Sequence, residues 1–220
     1  MPTNLEDWAE FYQQGGVLMH GILAMAVIGL GLVLERSWRL VVGQNVNVRR
    51  LMPRVQSRLL AGDTAGALRL CTSSRSVVHR VIRAGLMEGV DPERAAAAVR
   101  EEQRGLEPGL RRWIPALSSI ASIAMMIGLL GTILSLIGGF RCGIASVSAA
   151  QRAAALANEI SIAVHTTGFG ILVGILMLSA RLWLVHTCEK LLADMALCGA
   201  KVVNLIRIVR EPVPCDSPYR

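Results

Sequence analysis

Charge is in short supply in this sequence. Asp, Glu, Lys and Arg make up 18% of its 220 residues, where a soluble domain carries about 25%. The shortfall is local: Gly16–Leu34, Trp113–Phe140 and Ile160–Ala180 contain no charged residue at all. A bilayer core needs about 20 apolar residues per helix, so each run is long enough to cross. No stretch alternates apolar and polar with period two, so no β-sheet is expected. The five cysteines, Cys71, Cys142, Cys188, Cys198 and Cys215, form no CxxC pair and have no histidine at ligand spacing. That excludes a zinc site and a disulfide framework. GxxxxGK(S/T), HExxH, GxSxG and GxGxxG are also missing, so nucleotide hydrolysis, zinc proteolysis and serine hydrolysis lack their parts. Neither an enzyme nor a metal or cofactor site is expected.

What is present is basic, with a formal net charge of +7, and the basic residues are unevenly placed. No Lys or Arg precedes Gly16; fifteen lie between Glu35 and Arg112, two between Arg141 and Ala157, and six from Arg181 onward. Lys and Arg are retained on the cytoplasmic side, which places the long loop and the tail inside. The expected protein is therefore an all-α integral membrane protein with three transmembrane helices, N-out and C-in, and long cytoplasmic helical extensions. Its expected segments are an outer-surface amphipathic helix (1–15), span one (16–34), a cytoplasmic helical region (35–112), span two (113–140), a short periplasmic loop (141–159), span three (160–180) and a cytoplasmic helical tail (181–220). Glu6, Asp7 and Glu10 before the first span do not suit a signal peptide. Leu5, Trp8, Phe11 and Tyr12 fall near one helical face suited to the membrane interface.

In the cytoplasmic region, Asp63 is placed to cap a helix from Thr64, and Asp91-Pro92-Glu93 carries three helix-start signals together. Gly105, Pro108, Gly109 and Pro115 are expected to bend the following helix rather than end it. Eight acidic residues are interspersed among the fifteen basic ones, and aromatics are nearly absent there. This composition fits a solvated helical layer better than a nucleic-acid surface.

The spans have two-sided compositions. In span two, Ile120, Ile123, Ile127, Leu130, Leu134 and Ile137 form a bulky stripe, opposed by Ser118, Ala121, Ser122, Gly128, Thr132, Ser135 and Gly139. In span three, Ala163, Thr167, Gly170 and Gly174 share a side opposite Phe169, Leu172 and Leu176. Small residues let membrane helices approach closely and hydroxyls bond across them, so these sides serve either helix packing or a pore. His20 and His165 lie within spans, as functional groups or as neutral imidazoles bonded to a neighbouring helix. Neither span two nor span three has a mid-depth carboxylate, so a conducted proton would need an acid from another subunit.

Gly128-Leu-Leu-Gly-Thr132-Ile-Leu-Ser-Leu-Ile-Gly-Gly-Phe140 resembles the GLLGTVxGMIxxF signature of the MotA/TolQ/ExbB proton-channel family. Gly62-Asp63 with Ala67–Cys71, Arg83-Ala-Gly-Leu86 and Ala163-Val-His-Thr-Thr-Gly-Phe-Gly-Ile171 are similar to segments of the same proteins. The resemblance implies a channel or stator subunit of an ion-motive-force-driven motor in a bacterial inner membrane. It implies a homo-oligomeric ring, a pentamer, around a dimeric single-span partner of the ExbD/TolR/MotB type that carries a transmembrane aspartate. By position, Thr132 and Thr167 correspond to pore-lining threonines, with Thr166 and Ser135 beside them on the ion pathway. Gly128, Gly131, Gly170 and Gly174 are the close-packing positions. The chain departs from the pattern where ExbB-like members carry a glutamate, here Ile162, and where a proline is usual, here Gly174-Ile-Leu. The Thr166-Thr167 pair leaves proton and sodium both open, and a non-conducting membrane scaffold remains the alternative.

Glu159 is the acid nearest span three. It stands eight residues before Thr167, about 12 Å further out and about 80° around the helix. There it either attracts ions at the outer mouth, on the pore side, or caps the start of span three, a role Asn158 could share. The orientation has a direct check. In intact cells or spheroplasts, a thiol reagent that cannot cross the membrane should label Asn4→Cys and leave Arg75→Cys untouched; the reverse pattern would invert the topology.

Overall fold

A backbone in hydrocarbon must satisfy its own polar groups, and all three uncharged runs do so as helix. The computed structural model describes residues 15–42, 48–72, 76–89, 91–145 and 148–210. Helix α1 spans Leu18–Ser37 and passes into a π-helical turn at Trp38–Val42. Then follow α2 (Val48–Leu60), α3 (Thr64–Thr72), α4 (Val77–Met87), α5 (Pro92–Arg111), α6 (Ile114–Ala145) and α7 (Ala149–Arg210). There is no strand among the described residues. Three helical stretches are long and apolar enough to cross a membrane, within Leu18–Leu40, Pro92–Arg141 and Ala149–Arg210, and the protein is a multi-pass membrane protein. The amphipathic helix expected over 1–15 lies outside the described residues apart from Gly15.

Two expectations are corrected. The segment 141–159 is mostly helical, because α6 continues to Ala145 and α7 begins at Ala149. Alanine has the highest helix propensity, and six of the first nine residues of α7 are alanine. Ser148 and Gln151 close a reciprocal cap at its start: the Gln151 N–H donates to Ser148 Oγ and the Ser148 N–H to Gln151 Oε1, both at 3.3 Å. Glu159 and Asn158 are therefore interior helical residues, and neither caps α7. The second correction concerns the run of glycines and prolines before span two. Pro108 is carried inside α5, but the helix ends at Arg111 and restarts at Ile114. Pro115 has no N–H, and its ring would strike the Arg111 carbonyl of a continuous helix. Trp113 turns the chain with φ +67°, a conformation that costs an L-residue about 1–2 kcal/mol.

The chain forms two compact units: Met1–Glu35 with Trp113–Leu184, and Arg36–Arg112 with Val185–Arg220. In the first, α1 lies against both other spanning helices. Gly21 and Gly29 approach Ile127 and Ile120 of α6, while Gly16 and Gly29 approach Ile162 and Met177 of α7. These pairs order α1 antiparallel to α6 and parallel to α7, an up-down-up arrangement. The bulky stripe of α6 stays largely exposed at Ile123, Leu130, Leu134 and Ile137, as a lipid- or neighbour-facing side requires.

In the second unit Asp63 accepts from the Gly66 N–H at 2.8 Å, and Asp91 from the Glu93 N–H at 3.2 Å; both act as helix caps. Val81 and Ile82 of α4, Val99 of α5, and Met195, Cys198 and Val202 of α7 are buried together. Gly85 and Gly199 let Val99 approach from both sides. Gln103 donates to the Met195 carbonyl at 3.1 Å, and Arg80 pairs with Glu102 at 2.8 Å. Arg36 is 5% exposed and reaches toward the Gly109 carbonyl, one of those left unpaired where α5 ends. The Cys71 thiol is buried and its pKa is raised to about 11 by desolvation, which keeps it protonated and unreactive.

His79 of α4 is also buried, and its Nδ1 has no hydrogen-bond partner among the described residues. Desolvation holds its pKa below the ordinary 6.5, so the folded protein keeps it neutral. The unfolded chain takes up the proton first, so stability is full above about pH 6.5 and falls as pH drops below it. Replacing His79 with Leu should flatten this acid limb: melting temperatures in detergent at pH 8 and pH 5.5 should lie closer together than in the unsubstituted protein. An undiminished gap would place the acid sensitivity elsewhere.

Candidate functional site: the crossing of the second and third spanning helices

The small-residue sides of α6 and α7 face each other. A Cβ built at Gly128 would meet the Thr166 carbonyl oxygen at 3.2 Å and the Thr167 and Gly170 Cα atoms at 3.3 and 3.4 Å. One at Gly170 would lie 2.9 Å from the Ala124 carbonyl oxygen and 3.2 Å from the Gly128 Cα. At Gly131 the obstacle is the Thr166 hydroxyl at 2.7 Å, and at Gly174 it is Met125 Cγ at 2.8 Å. Gly128, Gly131, Gly170 and Gly174 thus lie at one seam: at Gly128 and Gly170 the two backbones touch, and at Gly131 and Gly174 the missing Cβ makes room for Thr166 and Met125. Ala121, Ala124, Gly128 and Gly131 carry this contact along α6.

The hydroxyls are distributed around the seam. Thr167 donates across it to the Gly128 carbonyl at 3.0 Å. Thr132, on the flank of the same stripe, donates to the Leu129 carbonyl of its own helix at 2.6 Å. Both threonines are half-buried. Thr166 is 1% exposed and bonds the Ala163 and Ile162 carbonyls at 2.9 and 3.2 Å. Its side chain is enclosed within this chain, against Gly131, at the edge of the cavity it helps to line. The reason is register: one step of 100° from Thr167 turns it onto Gly131.

Ser135 and Glu159 meet at the end of the seam nearest the start of α1, where both line a cavity of about 240 Å3 with Gly16, Leu18, Ile162 and Thr166. The Glu159 side chain lies over a glycine pair: a Cβ at Gly139 would be 3.1 Å from Glu159 Cβ, and one at Gly138 would be 3.5 Å from Oε2. Glu159 therefore belongs to a cavity bounded by three helices of its own chain. The glycine pair was visible in the motif, but its pairing with Glu159 needed the crossing geometry. His165 Nδ1 lies 2.6 Å from the Ser161 carbonyl, which makes that nitrogen the N–H donor. The bond is to its own helix rather than to a neighbouring one. His20 Nδ1 is 3.3 Å from the Val17 carbonyl and is exposed.

Residues 73–196, more than half of the chain, match the model of the MotA/TolQ/ExbB proton channel family. Over 170 residues, 77% of the chain, the sequence is 25% identical to an ExbB homolog of Methanothermobacter thermautotrophicus, and the match covers 60% of that protein. Over 166 residues it is 25% identical to an ExbB-like protein of Synechocystis sp., covering 73% of this chain and 77% of that one. Both relatives are named as biopolymer transport proteins.

The seam's dependence on glycine is measurable. Gly170→Ala places a methyl against backbone, which cannot yield cheaply, and should cost roughly 1–3 kcal/mol. Gly105→Ala on α5 meets nothing within 4 Å and should be neutral or stabilising by up to about 1 kcal/mol. Thermal unfolding of both variants in the same detergent decides whether the glycines are needed for packing.

Proposed function

Because the chain belongs to the MotA/TolQ/ExbB proton channel family, we propose that it is the channel subunit of an ion-motive-force-driven energy-coupling motor. It is a channel-family protein and not an enzyme. In this reading it sits N-out and C-in in a bacterial inner membrane, and five copies surround a dimer of a single-span partner of the ExbD/TolR/MotB type. The observation that carries the reading is a division of chemistry. The matched region contains both faces of the α6–α7 seam, rich in hydroxyls, yet Trp113–Phe140 and Ile160–Ala180 hold no Asp or Glu. A proton or sodium ion crossing here needs a carboxylate, and a partner helix with an aspartate supplies it. Thr132 and Thr167 are the groups nearest that carboxylate. A hydroxyl donates to a carboxylate and accepts from a carboxylic acid, so it serves both states of the titrating group. Ion flow then drives rotation between ring and partner, which powers transport, envelope work or motility.

A non-conducting scaffold is the second reading, and one observation favours it. The hydroxyls of Thr132 and Thr167 are already bonded to the Leu129 and Gly128 carbonyls, as in a dry packing interface. Flux separates the two readings. The protein is purified with its single-span partner, reconstituted in vesicles and given an ion gradient, with internal pH or sodium followed by dye. The channel reading expects gradient-dependent flux that falls about tenfold or more in Thr132→Val/Thr167→Val, since a hydrogen bond to a charged group is worth about 1.5–3 kcal/mol. The complex should keep its size. No flux from the unsubstituted complex, or full flux from the double variant, would remove the pore assignment.

A further inference from the structure

The cavity lined by α1, α6 and α7 contains two polar groups that the fold does not use. Neither the Ser135 hydroxyl nor the Glu159 carboxylate has a hydrogen-bond or ion-pair partner among the described residues. The rest of the lining is chiefly backbone glycine and aliphatic carbon from Gly15, Gly16, Val17, Leu18, Leu134 and Ile162. The Glu159 carboxylate is half-buried and has no fixed counter-charge beside it among the described residues, so a mobile cation can serve as its partner. Space is available: at about 30 Å3 per water in the liquid, 240 Å3 admits several waters or a cation with part of its hydration shell. Gly138 and Gly139 keep α6 thin where the carboxylate lies, so that Glu159 reaches the cavity while its stem rests on the neighbouring helix.

We propose that this cavity is a cation antechamber inside each protomer, in which the Glu159 carboxylate and the Ser135 hydroxyl hold a water-borne monovalent cation, hydronium or sodium. The station is internal to one chain, bounded by α1 as well as by α6 and α7, so every copy in an assembly carries its own. Thr166 forms part of the same lining, and its neighbour Thr167 bonds across the seam, so a cation held by Glu159 stands directly outside the α6–α7 crossing. A half-buried carboxylate without a fixed counter-charge raises the local cation concentration and selects against anions.

The site can be tested without conduction. Ser135→Cys is introduced into the full chain, alone and with Glu159→Gln, and each protein is reconstituted after its oligomeric size is checked. It is then treated with a cationic or an anionic methanethiosulfonate of similar size, and modification at position 135 is quantified by peptide mass spectrometry. The cationic reagent should react at least about tenfold faster than the anionic one, and the ratio should fall to about one with Glu159→Gln. Protection by sodium chloride but not by choline chloride at equal ionic strength identifies sodium. Without such protection, a cationic-to-anionic rate ratio that falls on acidification identifies the proton, because the ratio cancels the loss of thiolate common to both reagents. Equal rates for the two reagents in the Glu159 protein, or no modification at position 135, would overturn the proposal. A second arm rests on the channel reading: with the partner present, Glu159→Gln should raise the ion concentration for half-maximal flux by about tenfold. An unchanged concentration dependence would deny the cavity a role in supply. Absence of flux from the unsubstituted complex would overturn the channel reading and leave the labelling result standing.

Discussion

Two helices of this protein meet backbone to backbone, and much else follows from that contact. At Gly128 and Gly170 the approach leaves no room for a Cβ on either side. In hydrocarbon there is no hydrophobic gain in bringing helices together, because lipid is as apolar as leucine; close packing and hydrogen bonds must supply the attraction. The seam supplies both, as the Thr167 hydroxyl reaches the Gly128 carbonyl only because the backbones are this near. The same approach buries Thr166, lays Glu159 over Gly138 and Gly139, and borders the cavity that α1, α6 and α7 line together.

The second unit obeys different physics. Its helices α2 to α5 and the end of α7 carry apolar residues on one side and charge on the other, and they bury Val81, Ile82, Val99, Met195 and Val202 as a water-soluble bundle does. Its ion pairs, such as Arg58 with Asp63, are mostly exposed and add little to stability. The fifteen basic residues between Glu35 and Arg112 are what the expected cytoplasmic placement of this segment rests on. The chain changes from one regime to the other at Trp113, where Pro115 forbids a continuous helix and the backbone adopts a positive φ.

The chemistry of the spans is defined by what they withhold. Hydroxyls and glycines are concentrated at the seam, and carboxylates are excluded from mid-depth. Such a wall can accommodate an acid on another helix in either protonation state, but cannot itself bind and release an ion at that depth. Glu159 stands apart from that wall, in a recess of its own chain.

The sequence by itself determined the number of spans, the all-helical class and the family signature, because hydropathy, charge bias and the glycine spacing around Gly128 are properties of consecutive residues. It also marked the caps at Asp63 and Asp91, which act within one turn. Periodicity separated the small sides of α6 and α7 from the bulky ones. It put Thr167 on the small side with Ala163, Gly170 and Gly174, but it held no information on the burial of Thr166, a single step of 100° away. It read 141–159 as a short loop because the segment lies between two charge-free runs, whereas alanine propensity and the Ser148–Gln151 cap made most of it helix. Only the tertiary structure decided that Thr166 is enclosed, that Thr167 bonds across the seam, and that Glu159 and Ser135 share one cavity. Those outcomes depend on helix register and crossing, which bring together residues 24 positions apart and which no local window contains.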